Sequence, residues 1–436
     1  MENKYDIVIG LEIHAELNTN SKVFCGCANV FGSKPNTNCC PVCVGMPGAL
    51  PVVNKAAVEK TIMAGIAMGC EINDIAIFER KNYFYPDLSK AYQISQLVKP
   101  ICVGGGAKLK SGKYARLNRI HLEEDAGKLL HNAVSRTSHI DYNRGGVPLI
   151  EIVTEPDFCS ASEAVEFLEE VRSRLIFAGV ADCKMEQGGM RCDVNLSLKP
   201  KGSKTLGNRT EMKNLNSFKM VTRAIEHESK RQAEILDKGD RIVTETRKWD
   251  DVKGKTFAMR NKEESQDYRY FPDPDIYAVK ISKDDVARIK KSLPVLAHEL
   301  REKFIKEFGL PEYDAHILTR DKAISEYFTL CVKAYNKPKA IANLIINDFK
   351  VDPKITPNEL VAMLKSIEEK KSSAGLPENE IIEVLKKVKT ENPKVAGDYV
   401  ANPDKVATFI IGQVMKQTQG KAKSDVVKKL IPTVFL

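Results

Sequence analysis

The sequence lacks the features of a membrane or secreted protein. No stretch approaches the ~18 consecutive apolar residues that a membrane-spanning helix needs, and 29% of the 436 residues are charged. The first residues, MENKYDIVIGLEIH, contain no basic segment that leads into an apolar run, so no signal peptide is visible. We therefore expect a cytoplasmic protein that does not act at a membrane.

The chain also lacks an even set of cysteines. It has 11, and an odd number in a long chain without a secretion signal disfavours a disulfide framework. Cys25-Gly-Cys27 and Cys40-Pro-Val-Cys43 form two close pairs, a spacing that favours a tetrahedral structural zinc site. Cys39 is a competing ligand for the second pair, and reactive thiols or chance clustering are the alternatives.

Several catalytic signatures are missing as well. The sequence has no G-x-S-x-G elbow and no recognisable serine-based amidase element. A free-standing metal hydrolase is disfavoured, because no segment carries a nucleophile or a paired-histidine metal motif. Residues 102–113, CVGGGAKLKSGK, depart from the Walker spacing at Ala107 and Tyr114, and we predict a hairpin turn there instead.

The length and the pattern of elements indicate a multidomain α+β protein. A chain of 436 residues exceeds the ~250–300 residues that one core usually supports. Up to about residue 292 the sequence mixes short alternating strands with glycine-rich turns, which predicts an antiparallel sheet. One helix is predicted to begin after Ser217 and to be closed by Gly239. After about Leu293, helix follows helix.

The first strand carries the strongest functional pattern. From Ile7 to Leu17 every odd position is apolar, so Glu12, His14 and Glu16 share the opposite face. Two carboxylates and an imidazole on one face suit a hard cation or a polar substrate. The alternative is an ordinary solvent-facing strand.

Three further segments strengthen the functional interpretation. In residues 190–198, one strand face carries Arg191, Asp193, Asn195 and Ser197, a combination that is common around phosphates and Mg²⁺. Residues 123–125 are three consecutive acids, which repel one another unless a cation offsets them. Glu151 lies in an apolar run, where a carboxylate needs a metal, an arginine or a proton. Together the segments predict an acidic, metal-dependent basin.

Two other patterns leave their alternatives open. The aromatic segments at 82–87, NYFYPD, and 267–275, DYRYFPDPD, could stack on a nucleobase. Without further context we predict instead that these aromatic turns fill part of the hydrophobic core as core plugs. The net charge of +9 is compatible with a polyanionic partner. Lysines of the helical part favour solvated helix faces and phosphate contact about equally. They are Lys386, Lys387, Lys389, Lys416, Lys421, Lys423, Lys428 and Lys429.

These segments, in this order, resemble the B-subunit family of the aspartyl/glutamyl-tRNA amidotransferases over nearly the whole chain. The matching stretches are IGLEIHAEL at 9–17, PGALPVVN at 47–54, RKNYFYPDLSKAYQISQ at 80–96, HLEEDAGK at 121–128, NRGGVPLIEIVTEPD at 143–157, RCDVNLSL at 191–198, EMKNLNSF at 211–218, DYRYFPDPD at 267–275, GLPEYDAHILT at 309–319 and GQVMKQTQGKA at 412–422.

The resemblance implies an enzyme component that handles charged tRNA. Such B subunits use ATP to phosphorylate the side-chain carboxylate of Glu or Asp esterified to tRNA(Gln) or tRNA(Asn). Ammonia released by the partner glutaminase (the A subunit) then displaces the phosphate, and the small C subunit holds the other two together. The implied fold is an antiparallel cradle like that of glutamine synthetase and the guanido kinases (1–292, with a zinc-binding insertion near 25–43), a helical connector (293–326) and a helical tRNA-binding tail (327–436).

The resemblance also assigns site residues. Glu12, His14, Glu124, Asp193 and Glu211 match the metal-site positions, with Glu123 and Glu151 as nearby Mg²⁺ candidates. Arg191, Lys213 and Asn195 are our candidates for binding the ATP phosphates, and His14 should be neutral to serve as a ligand. Cys25, Cys27, Cys40 and Cys43 match the zinc-bearing branch of the family.

One departure from the resembling sequences concerns the tail, which omits a segment after Lys371. This leaves a rival hypothesis, a diverged tRNA-binding scaffold without catalysis. The acidic basin argues against a scaffold, because bare carboxylates repel the phosphates of a polyanion.

Overall fold

A computed structural model describes residues 4–132, 134–261, 267–350, 352, 354–373 and 375–435. The chain forms two compact units, Met1–Leu300 and Arg301–Leu436. Unit 1 is rich in strands and unit 2 is helical, which confirms the predicted α+β class. The three-part division at residues 292 and 326 stays a prediction. Within the described residues, no helix is both long and apolar enough to span a bilayer.

Unit 1 contains all the strands that the described residues form. They are β1 (Tyr5–Glu16), β2 (Glu71–Ile72), β3 (Ile75–Ala76), β4 (Glu79–Asn82), β5 (Tyr92–Ser95), β6 (Cys102–Val103), β7 (Gly106–Lys108), β8 (Tyr114–Glu124), β9 (Lys128–Asn132), β10 (Thr137–Asp141), β11 (Pro148–Thr154), β12 (Met190–Pro200), β13 (Thr210–Leu215), β14 (Glu245–Asp250), β15 (Lys255–Asn261), β16 (Phe271–Pro272) and β17 (Val279–Lys280). Its helices are α1 (Lys55–Ala67), α2 (Ala161–Phe177), α3 (Phe218–Asp237), α4 (Lys283–Ser292) and the start of α5 (Ala297–Lys306).

A large sheet with the order β15-β14-β13-β12-β1-β11-β8-β6-β2 organises unit 1. Apart from the parallel pair β13–β14, its neighbours run antiparallel. The strand β1 lies near the middle, between β11 and β12. The hairpin predicted at residues 102–113 is confirmed, because β7 pairs with β8 across the turn that Leu109 and Lys113 close.

Alternation along β1 decides which face of the sheet is buried. The odd residues from Ile9 to Ala15 are buried and belong to the main core, and Tyr5 and Ile7 at the start of the strand are partly buried and pack against it. Apolar residues of α2 and α3, such as Phe167 and Val221, belong to the same core. The even residues of β1 point to the opposite face, so the sheet has one apolar face and one polar face.

The predicted caps of α3 are confirmed. The side chain of Ser217 accepts a hydrogen bond from the Met220 N–H, as an N-cap does. Gly239 has φ +82°, and its N–H donates to the Leu236 carbonyl. Glycine adopts this left-handed conformation without a Cβ penalty, so the helix ends there.

Unit 2 consists of helices, several of which begin at residues that are typical of helix starts. Thr356 and Glu359 form a capping box before α9, and Pro377 and Asn402 precede α10 and α12. After the end of α5, the helices are α6 (Glu312–Leu318), α7 (Lys322–Ala334), α8 (Pro338–Asn343), a π-helical turn (Leu344–Asp348), α9 (Pro357–Ser373), α10 (Glu378–Glu391), α11 (Pro393–Ala401), α12 (Pro403–Gln417) and α13 (Ser424–Phe435).

One of the tail lysines has a structural contact. Lys389 donates through Nζ to the Val434 carbonyl at 2.5 Å, and its ammonium lies 5.7 Å from the Phe435 ring centroid. A cation that caps the last carbonyls of a helix stabilises it. Lys389 therefore holds the end of α13 on α10.

Candidate active site

A row of polar residues crosses the polar face of the sheet. Strand pairing sets His121 of β8 opposite Glu151 of β11, Glu151 opposite His14 of β1, and His14 opposite Arg191 of β12. Directly paired residues of neighbouring strands project to the same face. The register of four strands thus brings together residues that are far apart in the sequence.

His14 stands between three carboxylates. Its Nε2 lies 3.7 Å from Glu12 Oε1, 3.8 Å from Glu123 Oε1 and 3.6 Å from Glu151 Oε2. Burial lowers the pKa of His14, but Glu151 and Glu123 outweigh this effect, so the pKa is raised above its ordinary value. A cation that binds through Nε2 needs the neutral ring. Cation binding and ring protonation therefore compete for the same nitrogen.

His121 is a second imidazole in the basin, and the sequence did not predict its role. Its Nε2 lies 3.6 Å from Glu123 Oε2 and 3.5 Å from Glu151 Oε2. Burial lowers the pKa of His121, but the two carboxylates raise it to about 9 overall. Glu151 thus has two histidines as partners, where the sequence predicted a metal, an arginine or a proton.

The donor atoms are close enough to hold a divalent cation. One ligand atom each of Glu12, His14 and Glu151 lies within 4.8 Å of the others, and the same holds for His121, Glu123 and Glu151. Carboxylate oxygens with an occasional imidazole are the ligands that hard divalent cations accept. Burial and the nearby Glu151 raise the pKa of Glu12 above its ordinary value, against the opposing effect of His14 and Lys213.

Asp193 and Glu211 form an adjacent group around Lys213. Asp193 lies opposite Glu12 in the sheet, and Glu211 lies opposite Asn195. The Lys213 ammonium contacts Asp193 and lies 2.9 Å from Glu211. Two of the predicted metal ligands are therefore paired with a predicted phosphate-binding lysine.

Glu124 has a different partner from that of its neighbour Glu123. Both Glu124 oxygens accept from Lys90 Nζ at 2.6 Å, and one accepts from the Ile94 N–H at 2.9 Å. Within the described residues, Glu124 belongs to none of the three groups whose ligand atoms lie close enough to hold a metal ion. Its predicted place in the metal site stays a prediction.

Arg191 is held by a buried carboxylate. Its guanidinium lies 3.0 Å from Asp125 Oδ1, and Arg144 Nε lies 3.4 Å from Asp125 Oδ2. Burial raises the pKa of Asp125, but the two arginines outweigh this effect and keep the pKa low. Burial and the charge of Asp125 raise the pKa of Glu16 to about 7. Arg191 is thus fixed in orientation at the edge of the basin.

The two aromatic segments meet beside the basin, and their prediction as core plugs was wrong. Phe84 is 86% exposed and Phe271 is 43% exposed. The strand β16 of the second segment pairs with β4, which leads into the first segment, and the Asn82 N–H donates to the Tyr268 carbonyl at 2.9 Å. Between them, Lys81 Nζ lies 4.9 Å from the Tyr268 ring centroid and 6.0 Å from that of Tyr83. A lysine cation is attracted to aromatic faces at such distances.

The four predicted zinc cysteines also come together. Cys43 Sγ lies 3.4 Å from the sulfur of Cys25 and 3.7 Å from those of Cys27 and Cys40. A tetrahedral site with zinc–sulfur bonds of about 2.3 Å has sulfur–sulfur edges of about 3.8 Å. The donor set therefore fits zinc. Cys39 is not part of this group, and its Sγ lies 3.7 Å from Asn143 Oδ1.

Sequence reasoning missed four residues of the site. His121 is buried, and Lys81, Lys90 and Asp125 each contact a residue that is distant in the chain. The signal for His121 was present, because it alternates with Glu123 along β8. No local pattern indicates that Lys90 pairs with Glu124.

Comparisons with family models and with known proteins identify relatives of this chain. Residues 7–287 match the family model of the GatB/GatE catalytic domain, and residues 363–434 match that of the GatB domain. The B subunit of the aspartyl/glutamyl-tRNA(Asn/Gln) amidotransferase of Caldicellulosiruptor saccharolyticus is 47% identical over 472 residues, which cover 98% of both sequences. The equivalent protein of Thermodesulfovibrio yellowstonii is 44% identical over 470 residues, also with 98% of both covered. The chain therefore belongs to the GatB/GatE family.

Proposed function

We propose that this chain is the substrate-activating component of a tRNA-dependent amidotransferase. It uses ATP to phosphorylate the side-chain carboxylate of Glu-tRNA(Gln) or Asp-tRNA(Asn), and ammonia then converts the activated carboxyl group to an amide. The observation that supports this most directly is the row His121–Glu151–His14–Arg191, flanked by Glu12 and Glu123. A tRNA-binding scaffold has no use for such a concentration of carboxylates.

Phosphoryl transfer to a carboxylate brings two anions together, so positioning and charge neutralisation are the main tasks of the site. Glu12, His14 and Glu151 would hold Mg²⁺, with Glu123, Asp193, Glu211 and Glu124 as further candidates. When bound, Mg²⁺ supplies positive charge to the phosphate oxygens and aligns the reacting groups.

The cationic side chains have a complementary role. Arg191 presents a forked guanidinium, which Asp125 orients, and forked donors match the oxygens of a phosphate. Lys213 lies between Asp193 and Glu211, where it can move from a carboxylate to an incoming phosphate oxygen. Asn195 lies across from Glu211 and can donate through its amide.

The reaction also requires a source of ammonia, and the chain has a second metal site for Zn²⁺. Within the described residues, the basin contains no serine nucleophile of an amidase type, so ammonia comes from a glutaminase partner, the A subunit, with the C subunit joining the two. Zn²⁺ in the Cys25, Cys27, Cys40 and Cys43 site is structural, because four protein ligands leave no open position. Unit 2 contacts the tRNA.

The test is reconstitution with the glutaminase and the small joining protein, the A and C subunits. Amide formation on Glu-tRNA(Gln) and Asp-tRNA(Asn) is followed with and without ATP, Mg²⁺ and glutamine. Amide that appears only when all three are present supports the proposal and identifies the amino acid. Binding of tRNA without ATP turnover on either substrate would instead support the scaffold hypothesis.

A further inference from the structure

Lys22 is a fully buried lysine with an unusual pair of partners. Its side chain has no exposed surface, and its ammonium donates to Cys43 Sγ at 3.5 Å and to the Tyr142 carbonyl at 3.1 Å. Among the described residues it forms no ion pair with a carboxylate. Burying an ammonium without an anion costs several kcal/mol. The negative charge that compensates Lys22 must therefore come from the sulfur of Cys43.

Cys43 can supply this negative charge only as a thiolate. It is the central member of the cysteine group, within 3.7 Å of the other three sulfurs. Four neutral thiols offer Lys22 a weak acceptor and no charge. Four thiolates around a divalent ion carry a net charge of about −2, which a neighbouring ammonium partly offsets. The buried ammonium is thus matched to the metal-bound state of the group.

The second contact of Lys22 leads towards the basin. Tyr142, whose carbonyl accepts from Lys22, donates through its hydroxyl to the Pro86 carbonyl at 3.0 Å. On the other side, the Cys43 carbonyl accepts from Ser89 Oγ at 2.7 Å. The segment 86–91 is therefore bonded to Tyr142 through Pro86 and to Cys43 through Ser89, and Lys22 contacts both Tyr142 and Cys43.

This segment carries Lys90, the partner of Glu124. Gly45, which follows Cys43 by two residues, packs against Lys90. A Cβ added at Gly45 would lie 2.9 Å from Lys90 Cγ. The contacts leave little freedom for the segment to move independently of the cysteine group. A change in the charge of that group therefore reaches Lys90 through direct contacts.

We propose that Lys22 is a positioning residue for the metal of the cysteine group. Its ammonium neutralises part of the charge of a four-thiolate zinc centre and couples zinc binding to the segment 86–91. The inference depends on the zinc assignment made under the proposed function, but not on the amidotransferase chemistry.

The test compares the full-length wild-type chain with Lys22→Met and Lys22→Gln. Methionine keeps most of the length and removes the charge, and glutamine keeps a donor without charge. Lys34→Met, which changes a lysine outside the metal group in the same cysteine-containing segment, is the matched control. Zinc affinity is measured by competition with a chromophoric chelator. Substitutions around metal ligands typically weaken affinity about 10–100-fold, and we expect this loss for both Lys22 variants and none for the control.

A purely structural role of Lys22 predicts a different pattern. If Lys22 only fills space, Lys22→Met destabilises the zinc-loaded and zinc-free chains alike. Under the proposal, the zinc-free Lys22→Met chain unfolds at a temperature no lower than that of the zinc-free wild type, because a buried unpaired ammonium is gone. Should the methionine variant not fold, the zinc affinity of Lys22→Gln decides the question.

Hydrogen exchange tests the coupling to the segment 86–91. Removing zinc from the wild type should speed exchange of the Leu88 and Ala91 amides, which donate to the Tyr85 and Leu88 carbonyls. Unchanged exchange, or unchanged zinc affinity in both Lys22 variants, overturns the proposal. A wild-type chain that binds no zinc overturns the zinc assignment together with it. Amide formation in the reconstitution assay would still stand.

Discussion

At the scale of single residues, unit 1 also contains a buried ion pair outside the basin. Glu228 of α3 is fully buried, and both of its oxygens accept from Arg231, at 2.6 and 2.9 Å. Thr256 and Gln232 donate to the same carboxylate at 3.0 and 3.1 Å. Burial alone raises the pKa of Glu228, but these donors and the Arg231 charge outweigh it, and the pKa is lowered.

We predict that Glu228→Gln destabilises unit 1. Removing one partner of a buried ion pair leaves the other charge uncompensated, which costs about 3 kcal/mol or more. Because the folded pKa lies below the ordinary value, the ionised group stabilises the fold above the ordinary carboxyl range, and this stability is lost as the pH falls. The difference from wild type in urea unfolding should therefore be constant near neutral pH and shrink as the pH falls below about 5. Glu226→Gln, exposed on the same helix, should show no pH-dependent difference.

Glu124 provides the corresponding test inside the site. Its carboxylate is shared between Lys90 and the Ile94 N–H, so Glu124→Gln removes the charge while keeping the shape. We predict that ATP hydrolysis that depends on charged tRNA is lost, by about 10²-fold or more as for other preorganised charges, whereas tRNA binding is nearly unchanged. Glu155→Gln, just beyond β11, is the control. Normal ATP turnover in Glu124→Gln would remove Glu124 from the site.

At the scale of elements, the close approach of helix α1 to the sheet depends on one glycine. A Cβ added at Gly65 would meet Cys102 Sγ far inside contact distance and would lie 2.9 Å from Ile72 Cδ1. Gly412 in α12 presents the opposite case, since a Cβ there meets nothing within 4 Å. The same substitution should therefore have opposite effects in the two helices.

We predict that Gly65→Ala destabilises unit 1 by about 1–3 kcal/mol through overpacking, and that Gly412→Ala stabilises unit 2 by about 0.5–1 kcal/mol through helix propensity. Trp249, the single tryptophan, is buried in unit 1 and reports its unfolding by fluorescence. Gly65→Ala should move the fluorescence transition to lower urea. Gly412→Ala should leave that transition in place and move only the helical circular dichroism signal. A fluorescence shift with Gly412→Ala would contradict the assignment of effects to units.

Elements also show where prediction from the sequence succeeds and where it stops. Alternation along β1 and β12 predicted which residues share a face, because a side-chain period of two is local. The N-cap Ser217 was predicted as well, because a cap bonds only to the first turn of its own helix. Strand order is not local: no pattern in β8 indicates that His121 lies opposite Glu151, and this pairing completes the row. The partners of Arg191 and Lys213 likewise follow only from the assembled sheet.

At the scale of the whole molecule, positive charge is concentrated near the end of the chain. Residues 411–436 contain five lysines against one aspartate, a net charge of +4 out of the total of +9. The two relatives align over 472 and 470 residues, more than the 436 of this chain, so they carry residues that this chain lacks.

Exposed lysines of α13 should therefore contribute to tRNA binding through phosphate contacts. Lys428 and Lys429 are exposed on this helix. Lys386 and Lys387 of α10 are ion-paired instead, and lie 2.8 Å from Glu383 and 3.9 Å from Glu391, respectively. Each phosphate contact changes the slope of log affinity against log salt by roughly 0.7–0.9. We predict that Lys428→Ala combined with Lys429→Ala lowers the slope by about 1.5, since two such contacts are lost.

Filter binding of charged tRNA across a series of KCl concentrations measures the slope. Lys386→Ala combined with Lys387→Ala is the matched control, because it removes the same formal charge from lysines that already face carboxylates. Its slope should change less. Equal changes in both double variants would mean that tRNA senses only the net charge of unit 2. An unchanged slope in the α13 double variant would place the contact elsewhere on the chain.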